Sequence, residues 1–407
     1  MQCKRKKLFS IRRGLSDIYY IWIEEIRAIF KDRGVIVFFF VVPLLYPLLY
    51  SYLYNQELSV ESKIAVVDED CSDLSRTYIR MIDGTSSVEV VHIGTSLDEA
   101  RELLWRKEAY AVVAIPQGFR KSIYHGGQCE VALFSDLSSI LYYKNFMLTL
   151  NQAALNLGRT YRIEHLIDNV GEAAKVQVQP IPNSDIALFN PAQGYASFLL
   201  PIVLLIIVQQ TMLMGVSMLA GTARERNRGH TLFSGRNRRY RRPIPILLGR
   251  SLAYMMIYAV VCIWVLCVVP SLFDLPRMAG IVELVAFLFP FLLACTFFSL
   301  FVSCFVHNRE ESMLLLAFTS VIFVFLSGIA WPEVSMPQIW RWISCLIPSS
   351  LGARGLVALN SMGCDLRLIP DLQRGLWLQA GGYFMLSAVC YTVMFRKDMM
   401  KYRSDGE

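Results

Sequence analysis

Six stretches of the sequence are apolar over about 20 residues each, and they constrain the fold more than any other feature. A helix of about 20 apolar residues crosses the roughly 30 Å hydrocarbon core of a bilayer. Charged residues make up only 18% of the chain, against roughly 25% in soluble domains. The sequence therefore predicts an α-helical membrane protein with six transmembrane helices. We place them at about 35–54, 195–220, 247–269, 281–306, 312–331 and 377–395.

Residues 1–33 combine a basic tail with an amphipathic helical pattern ahead of the first span, which occupies about 34–54. The apolar stripe holds Ile18, Trp22, Ile26 and Ile29, and the polar face holds Glu24, Arg27 and Lys31. Such a helix is suited to lying in the membrane surface. We predict an N-terminal interfacial helix, and a solvated helix packed on protein is the alternative.

Charges return in residues 55–192, where short apolar strands alternate with helical patterns. The strand patterns fall at 64–67, 88–93, 110–115 and 131–134, and the helical ones at 74–82, 97–107 and 138–170. This alternation predicts an inserted α/β domain, long enough for a core of its own. The sequence leaves open whether Cys71 and Cys129 within it form a disulfide.

The distribution of the net charge of +7 predicts the orientation in the membrane. Lys and Arg are enriched in cytoplasmic loops, and six spans place both tails and the loop 221–246 on one side. Nine arginines lie in or beside that loop: 224, 226, 228, 236, 238, 239, 241, 242 and 250. We therefore expect a multi-pass protein of a bacterial inner membrane with both termini cytoplasmic, including a short tail at 401–407. The α/β domain and a re-entrant segment at 332–360 would then be extracytoplasmic, and the first span would act as an uncleaved signal.

The motifs of nucleotide binding and hydrolysis are missing from this sequence. There is no Gly-Lys dipeptide and hence no P-loop, and neither HExxH nor GxSxG occurs. The five histidines show no metal-ligand spacing. We do not expect a nucleic-acid partner, because each basic cluster adjoins an apolar span and is explained by membrane topology. We predict no catalytic, metal or cofactor site in this chain.

Gln209 and Gln210 are the polar residues in the middle of the second span. Polar side chains in membrane helices commonly make interhelical hydrogen bonds. They also line substrate pathways. The first interpretation is favoured, and the pair is kept as a candidate substrate path.

Three segments together resemble the membrane subunit of ABC-2 type exporters, in the bacterial branch with a large periplasmic domain between the first two spans. The insertion opens with IAVVDEDCSDLSRTYIRMID, the loop after the second span reads RERNRGHTLFSGRN, and FLSGIAWPEVSMPQIW covers the end of the fifth span and the start of the re-entrant segment. The order of these segments along the chain matches that family. The sequence departs from its pattern at His230 and in the stretch FSGRNRRYRRP.

The resemblance implies a permease that moves a hydrophobic or amphipathic substrate out of the cytoplasm or inner membrane. ATP and Mg²⁺ would be bound by a separate cytoplasmic ATPase. The implied contact with that ATPase is the coupling loop, at Glu225, Arg226, Gly229, Thr231 and Leu232. Further implied partners are a second permease subunit, either a copy or a paralogue, a periplasmic adaptor protein and the lipid bilayer.

Two other classes of function stay open at this point. One is a non-transporting membrane receptor whose external domain binds a ligand or phage. The other is a membrane-embedded transferase. Six spans and a long basic loop favour the permease over a receptor, because a receptor needs its spans only as an anchor.

Overall fold

The structure, a computed structural model, describes residues 2–54, 62–125, 127–135, 140–170, 195–226, 242–273, 275, 277–328 and 333–404. The chain divides into two compact units. Residues 1–55 and 188–407 form the helical unit, and residues 56–187 form the α/β unit.

The α/β unit is built on a sheet of four described strands: β1 (Ser62–Asp68), β2 (Val88–Gly94), β3 (Ala111–Ile115) and β4 (Ala132–Ser135). Their spatial order is β2-β1-β3-β4; the first three are parallel and β4 is antiparallel. Its helices are α3 (Asp73–Asp83), α4 (Leu97–Trp105), α5 (Phe119–Tyr124) and α6 (Ile140–Val170). All four predicted strand patterns form strands.

Both faces of this sheet are covered by apolar side chains. On one face, Ile64 and Val66 of β1 join a cluster with Tyr78 of α3 and Phe146 of α6. On the other face, the alternate residues of β1 pack with Ala100 of α4. Because successive residues of a strand point to opposite faces, a central strand covered on both sides is apolar throughout. This accounts for the uninterrupted apolar run in β1.

The helical unit consists of helices, most of them long. In chain order they are α1 (Gln2–Lys31), α2 (Arg33–Tyr54), α7 (Tyr195–Arg226), α8 (Pro243–Leu272), α9 (Ile281–Ser303), α10 (Arg309–Leu326), α11 (Gln338–Ser344), α12 (Pro348–Ser361) and α13 (Pro370–Ser404). Two short 3₁₀ turns lie at Glu333–Ser335 and Leu366–Leu368. Three of the helices contain one π-helical turn each, at Val37–Val41, Trp264–Val268 and Val357–Ser361.

Within the described residues, five helices are long and apolar enough to cross a membrane: α2, α7, α8, α9 and α13. The pair α11 and α12 passes the same test together, but it is bent by 88° at its break. Helix α10, where we predicted the span 312–331, ends at Leu326 and begins with three charged residues. The 15 uncharged residues that follow, 312–326, rise only about 22 Å, which is less than the roughly 30 Å hydrocarbon core. The chain is thus a multi-pass helical protein with five to six candidate spans, and the count of six stays a prediction.

Helix α7 is the central helix of this unit. In its most apolar stretch 89% of the residues are buried, against 17% in α13. It packs against α9, α10, α12 and α2. Most of the apolar side chains of α7 are therefore in contact with other helices.

Helix α1 uses a different stripe from the one read off the sequence. Over residues 14–31, where its side chains are described, the buried ones are Ile21, Glu25 and Ile29, and Ile21 and Glu25 contact α8. Ile18, Trp22 and Ile26 are only half-buried. The predicted stripe is therefore wrong by a small rotation about the helix axis. The helix packs on protein along one face, while Tyr19 and Phe30 remain exposed.

One glycine explains how closely α1 approaches α8. A Cβ added at Gly249 would lie 2.9 Å from the backbone oxygen of Ile18 and 2.8 Å from Cγ2 of Ile21. A backbone atom cannot move aside cheaply, so the contact requires a residue without a side chain.

The two cysteines of the α/β unit whose pairing was left open are both free thiols. Cys71 is exposed and Cys129 is half-buried.

Candidate functional site

Five charged residues meet where α1, α7, α8 and α10 begin or end, next to the loop predicted to contact an ATPase. We call Glu25, Asp32, Arg224, Arg250 and Arg309 the helix-end junction. Each makes its contact with a segment distant in sequence, and each lies within one or two helical turns of a helix end or chain bend.

The most buried part of the junction joins α1 to α8. Nε of Arg250 donates to Oε2 of Glu25 at 3.1 Å, and only 11% and 8% of the two side chains are exposed. The hydroxyl of Tyr254 donates to the other carboxylate oxygen of Glu25. Nη1 of Arg250 also donates to the Tyr391 hydroxyl of α13 at 3.3 Å. One buried ion pair therefore connects three helices.

A second ion pair joins the break between α1 and α2 to the start of α10. Oδ1 of Asp32 accepts from the Gly34 and Val35 amides at 3.0 and 3.4 Å, capping α2. The same oxygen accepts from Nη2 of Arg309 at 3.1 Å. Oδ2 accepts from the Thr222 hydroxyl of α7 at 3.1 Å. Asp32 thus holds three chain segments together while it caps one of them.

Arg224 closes the end of α9. Its guanidinium donates to the carbonyl oxygens of Cys304, at 2.7 Å, and Val306. The last carbonyls of a helix have no partner inside the helix, and a cation favours that end of the helix dipole. Arg224 is 6% exposed. Its role here is structural, beyond the topology signal that the sequence offered.

The predicted ATPase-coupling residues lie directly beside this junction where the structure describes them. Glu225 and Arg226 are exposed and form the last turn of α7, whereas the sequence placed them in a loop. Oε1 of Glu225 accepts from the backbone N–H of Arg309 at 2.7 Å. Gly229, Thr231 and Leu232 lie outside the described residues. The coupling role of all five stays a prediction.

The sequence analysis did not identify three residues of the helix-end junction: Glu25, Asp32 and Arg309. Glu25 had a detectable signal, because it lies four residues from both Ile21 and Ile29 within an apolar stripe. A charge at a core-facing position needs a buried partner. Asp32 and Arg309 carry no comparable signal, since both stand among other charged residues in the sequence.

The two glutamines of α7 are buried and point to different neighbours. Oε1 of Gln209 accepts from the backbone N–H of Ser349 in the first turn of α12, at 2.5 Å. Nε2 of Gln209 has no partner within the described part of the chain. Oε1 of Gln210 accepts from the Thr319 hydroxyl of α10 at 3.5 Å.

These contacts are the interhelical hydrogen bonds that the sequence analysis favoured. Gln209 is 0% and Gln210 6% exposed, so neither side chain lines an open channel in this conformation. Their candidate role in a substrate path is not tested by the geometry and stays a prediction.

No group of three or more metal-binding side chains was found among the residues that the structure describes.

Comparisons with known proteins show that the chain is similar to membrane transporters. A family model described as "ABC-2 family transporter protein" matches residues 33–395. One similar solved structure is the "crystal structure of a domain of a putative ABC type-2 transporter" from Thermotoga maritima MSB8. It shares 21% sequence identity over 30% of this chain and 81% of that chain, with a TM-score of 0.23. No match was found among curated proteins.

Proposed function

The chain belongs to the ABC-2 family of transporter proteins, and on this premise we propose that it is the permease of an exporter driven by a separate ATPase. The substrate we propose is hydrophobic or amphipathic, and it leaves the cytoplasm or the inner membrane. The family match gives no support to a ligand-binding or phage-binding receptor, nor to a transferase.

The energy source would lie on another subunit. The sequence has no Gly-Lys dipeptide, and the lysine of a P-loop is what reaches the β- and γ-phosphates of a nucleotide. ATP and Mg²⁺ would therefore be bound by a cytoplasmic ATPase. A second permease subunit, as a copy or a paralogue, would complete the pore, and a periplasmic adaptor would extend the export route.

The helix-end junction is the observation that carries this proposal. An ATPase pressing on the loop after α7 must pass its movement to several helices at once. Glu225 and Arg226, the last described residues before that loop, are exposed. Glu225 is tied to Arg309, and Arg309 to Asp32. A push at the end of α7 therefore reaches α10 and the α1–α2 break through direct polar contacts.

The membrane topology we propose follows the positive-inside rule. The junction would face the cytoplasm with both termini. Helix α10 would complete six spans, and the bent pair α11–α12 would be an external re-entrant segment. Irregular backbone at membrane depth needs cover from protein, and the first turns of α12, from Pro348 to Ala353, are buried.

The test removes the two exposed charges at the end of α7. Glu225→Ala with Arg226→Ala should leave the amount of folded protein in the membrane unchanged. Association with the ATPase that copurifies from native membranes should weaken, since truncating interfacial charges costs about 2–5 kcal/mol where a contact buries them. Export and the ATP hydrolysis of the purified assembly should fall together.

The matched control is Asp371→Ala with Arg374→Ala. This pair also removes one acid and one arginine from exposed positions, 93% and 77% accessible, at the start of α13. It should leave association and hydrolysis at the wild-type level. Equal association and equal export in both double variants would remove Glu225 and Arg226 from the proposed ATPase contact.

A further inference from the structure

The α/β unit contains a crevice that the proposed transport function does not use. Its volume is about 730 Å³, within the roughly 300–1,000 Å³ range of small-molecule sites. It lies beside α3 at the carboxyl ends of β1 and β2, which run parallel with Val67 opposite Gly94. In open α/β sheets, ligands bind outside the carboxyl ends of parallel strands where the strand order reverses; here that point lies between β1 and β3, so the crevice is at the same edge of the sheet but beside the neighbouring strand pair.

The crevice has both apolar and charged surface. Ile93 gives it apolar surface, since 59% of this residue is exposed although it belongs to a strand, and Ile79, only 5% exposed, borders the crevice from the core beneath. The side chains of Arg76 and Arg80 stand on one wall, four residues apart on α3 and therefore on the same helix face. Both arginines are exposed.

The acids at the crevice have partners already. Oδ1 of Asp68 accepts from the amides of Asp70 and Cys71 at 3.1 and 3.0 Å, and its Oδ2 accepts from the Ser75 hydroxyl at 2.6 Å. Asp68 is 5% exposed, so its carboxylate is directed to the loop and not to the cavity.

The other acid, Asp73, pairs with Arg120 at 3.6 Å. Two turns further along the same helix, Nη2 of Arg80 donates to the Thr77 hydroxyl, at 3.2 Å, and its Nε to the Arg76 carbonyl, at 3.4 Å. In the described part of the chain, no carboxylate is paired with Arg76 or Arg80. The charge that remains for a ligand is therefore positive.

We propose that this crevice binds a small amphipathic acid, with its oxyanion head on Arg76 and Arg80 and its apolar body on the exposed side chain of Ile93. Guanidinium groups form strong, charge-assisted hydrogen bonds with carboxylate and phosphate oxygens. The exposed apolar surface between the strand end and α3 selects an acid with a hydrocarbon portion over a bare anion. The site is independent of the ATPase contact.

Cys71 provides a reporter, because it is an exposed free thiol in the wall of the crevice. Cys345 is also an exposed free thiol but lies in the helical unit. The rate of alkylation at each cysteine is measured by mass spectrometry on the full chain in lipid nanodiscs. The probe is octanoate, and the comparison compounds are 1-octanol and inorganic phosphate.

At an octanoate concentration about ten times its Kd, Cys71 should react about tenfold more slowly, because only the free protein reacts. The Cys345 rate should not change. Arg76→Gln with Arg80→Gln should weaken the apparent Kd about tenfold or more, as expected for lost hydrogen bonds to a charged group. Arg101→Gln with Arg106→Gln, which removes two exposed arginines around α4, should keep full protection.

Five results would overturn the proposal. The first two are that octanoate leaves the alkylation rate of Cys71 unchanged, or that it slows both cysteines equally. The third is that octanoate still protects Cys71 after Arg76 and Arg80 are replaced. The fourth is that octanol protects Cys71 as well as octanoate does, which would make the charge irrelevant, and the fifth is that inorganic phosphate protects it equally well, which would make the apolar surface irrelevant.

Discussion

The most buried ion pair of the helical unit and an exposed ion pair of the α/β unit differ in what they connect. In the helical unit, Arg250 and Glu25 are 225 positions apart in sequence, and 11% and 8% of their side chains are exposed. In the α/β unit, Arg106 pairs with Glu102 one helical turn away, with 61% and 56% exposed. The first pair connects distant segments inside the helical unit, whereas the second lies on the surface of the α/β unit within one helix.

The difference follows from what each unit can use to choose its packing partners. The α/β unit has apolar clusters on both sheet faces, so removing apolar surface from water specifies its fold. Between membrane helices that driving force is absent, because lipid tails are as apolar as the side chains. Close contacts such as Gly249 on α1, and buried charges with one matching partner, then determine which helices pair.

This contrast predicts that removing a buried charge from the helical unit lowers the free energy of unfolding more than removing an exposed charge does. Glu25→Ala leaves the Arg250 guanidinium without its carboxylate in a site 11% exposed. We expect the free energy of unfolding in detergent to fall by about 3–5 kcal/mol. Arg27→Ala, on the exposed side of the same helix, should change it by less than about 0.5 kcal/mol.

A second variant separates the lost ion pair from the charge left behind. Glu25→Met with Arg250→Met replaces both charges by apolar side chains of similar length. It should lose less stability than Glu25→Ala alone, since an apolar pair often substitutes for a buried ion pair. A double variant that is less stable than Glu25→Ala would contradict this account.

A half-buried charge sharpens the comparison, with an intermediate effect expected. Asp32→Asn keeps the cap on the Gly34 amide but loses the charge that faces Arg309. We expect a loss of about 1 kcal/mol, the usual difference between hydrogen bonds with and without a charged partner. Asp32→Ala should lose about 1 kcal/mol more, because the cap is removed as well.

The control for this step is Asp365→Asn. Asp365 is exposed and caps a short helix through the Arg367 amide at 3.0 Å. The same substitution there should have almost no effect on the melting temperature. If both asparagine variants melt alike, the ion pair between Asp32 and Arg309 contributes no stability.

The smallest effect is expected in the α/β unit. A double-mutant cycle with Glu102→Ala and Arg106→Ala should give a coupling energy of about 0.3–0.5 kcal/mol, as for other exposed pairs one turn apart. The coupling should shrink further in about 1 M salt, where the Debye length is roughly 3 Å. A coupling above 1 kcal/mol that persists in salt would show that the two units do not differ as described.

Local patterns in the sequence predicted most of the secondary structure. The four strands of the α/β unit were recognisable because β1 and β3 contain apolar runs of 4 and 5 residues, at Ile64–Val67 and Ala111–Ile115, between polar segments. Helix α6 was expected within 138–170 as one or two helices, and it is one helix of 31 residues. Hydrophobic periodicity is a local signal, so it finds elements of this kind well.

The candidate site was harder to predict, because its contacts join segments that are far apart in sequence. No feature of the sequence around Asp32 indicates that its partner is Arg309, 277 positions away. The same applies to Gln209, whose amide oxygen meets Ser349 only because the chain bends by 88° between α11 and α12. The end of α7 was misplaced for a local reason, since charged residues after an apolar run were taken as a loop.

The three π-helical turns bear on how the length of this chain can change over evolution. In an α-helix with 3.6 residues per turn, one added or removed residue turns every later side chain by about 100° around the axis. A π-turn already contains such an extra residue, and the one at 264–268 is fixed to a neighbour by the Trp264 indole, which donates to the Leu44 carbonyl at 3.2 Å. Losing one residue there would restore regular α-helix and leave both flanking stretches facing their present neighbours. Helices α2, α8 and α12 therefore each contain one place where a single-residue deletion is compatible with an unchanged bundle.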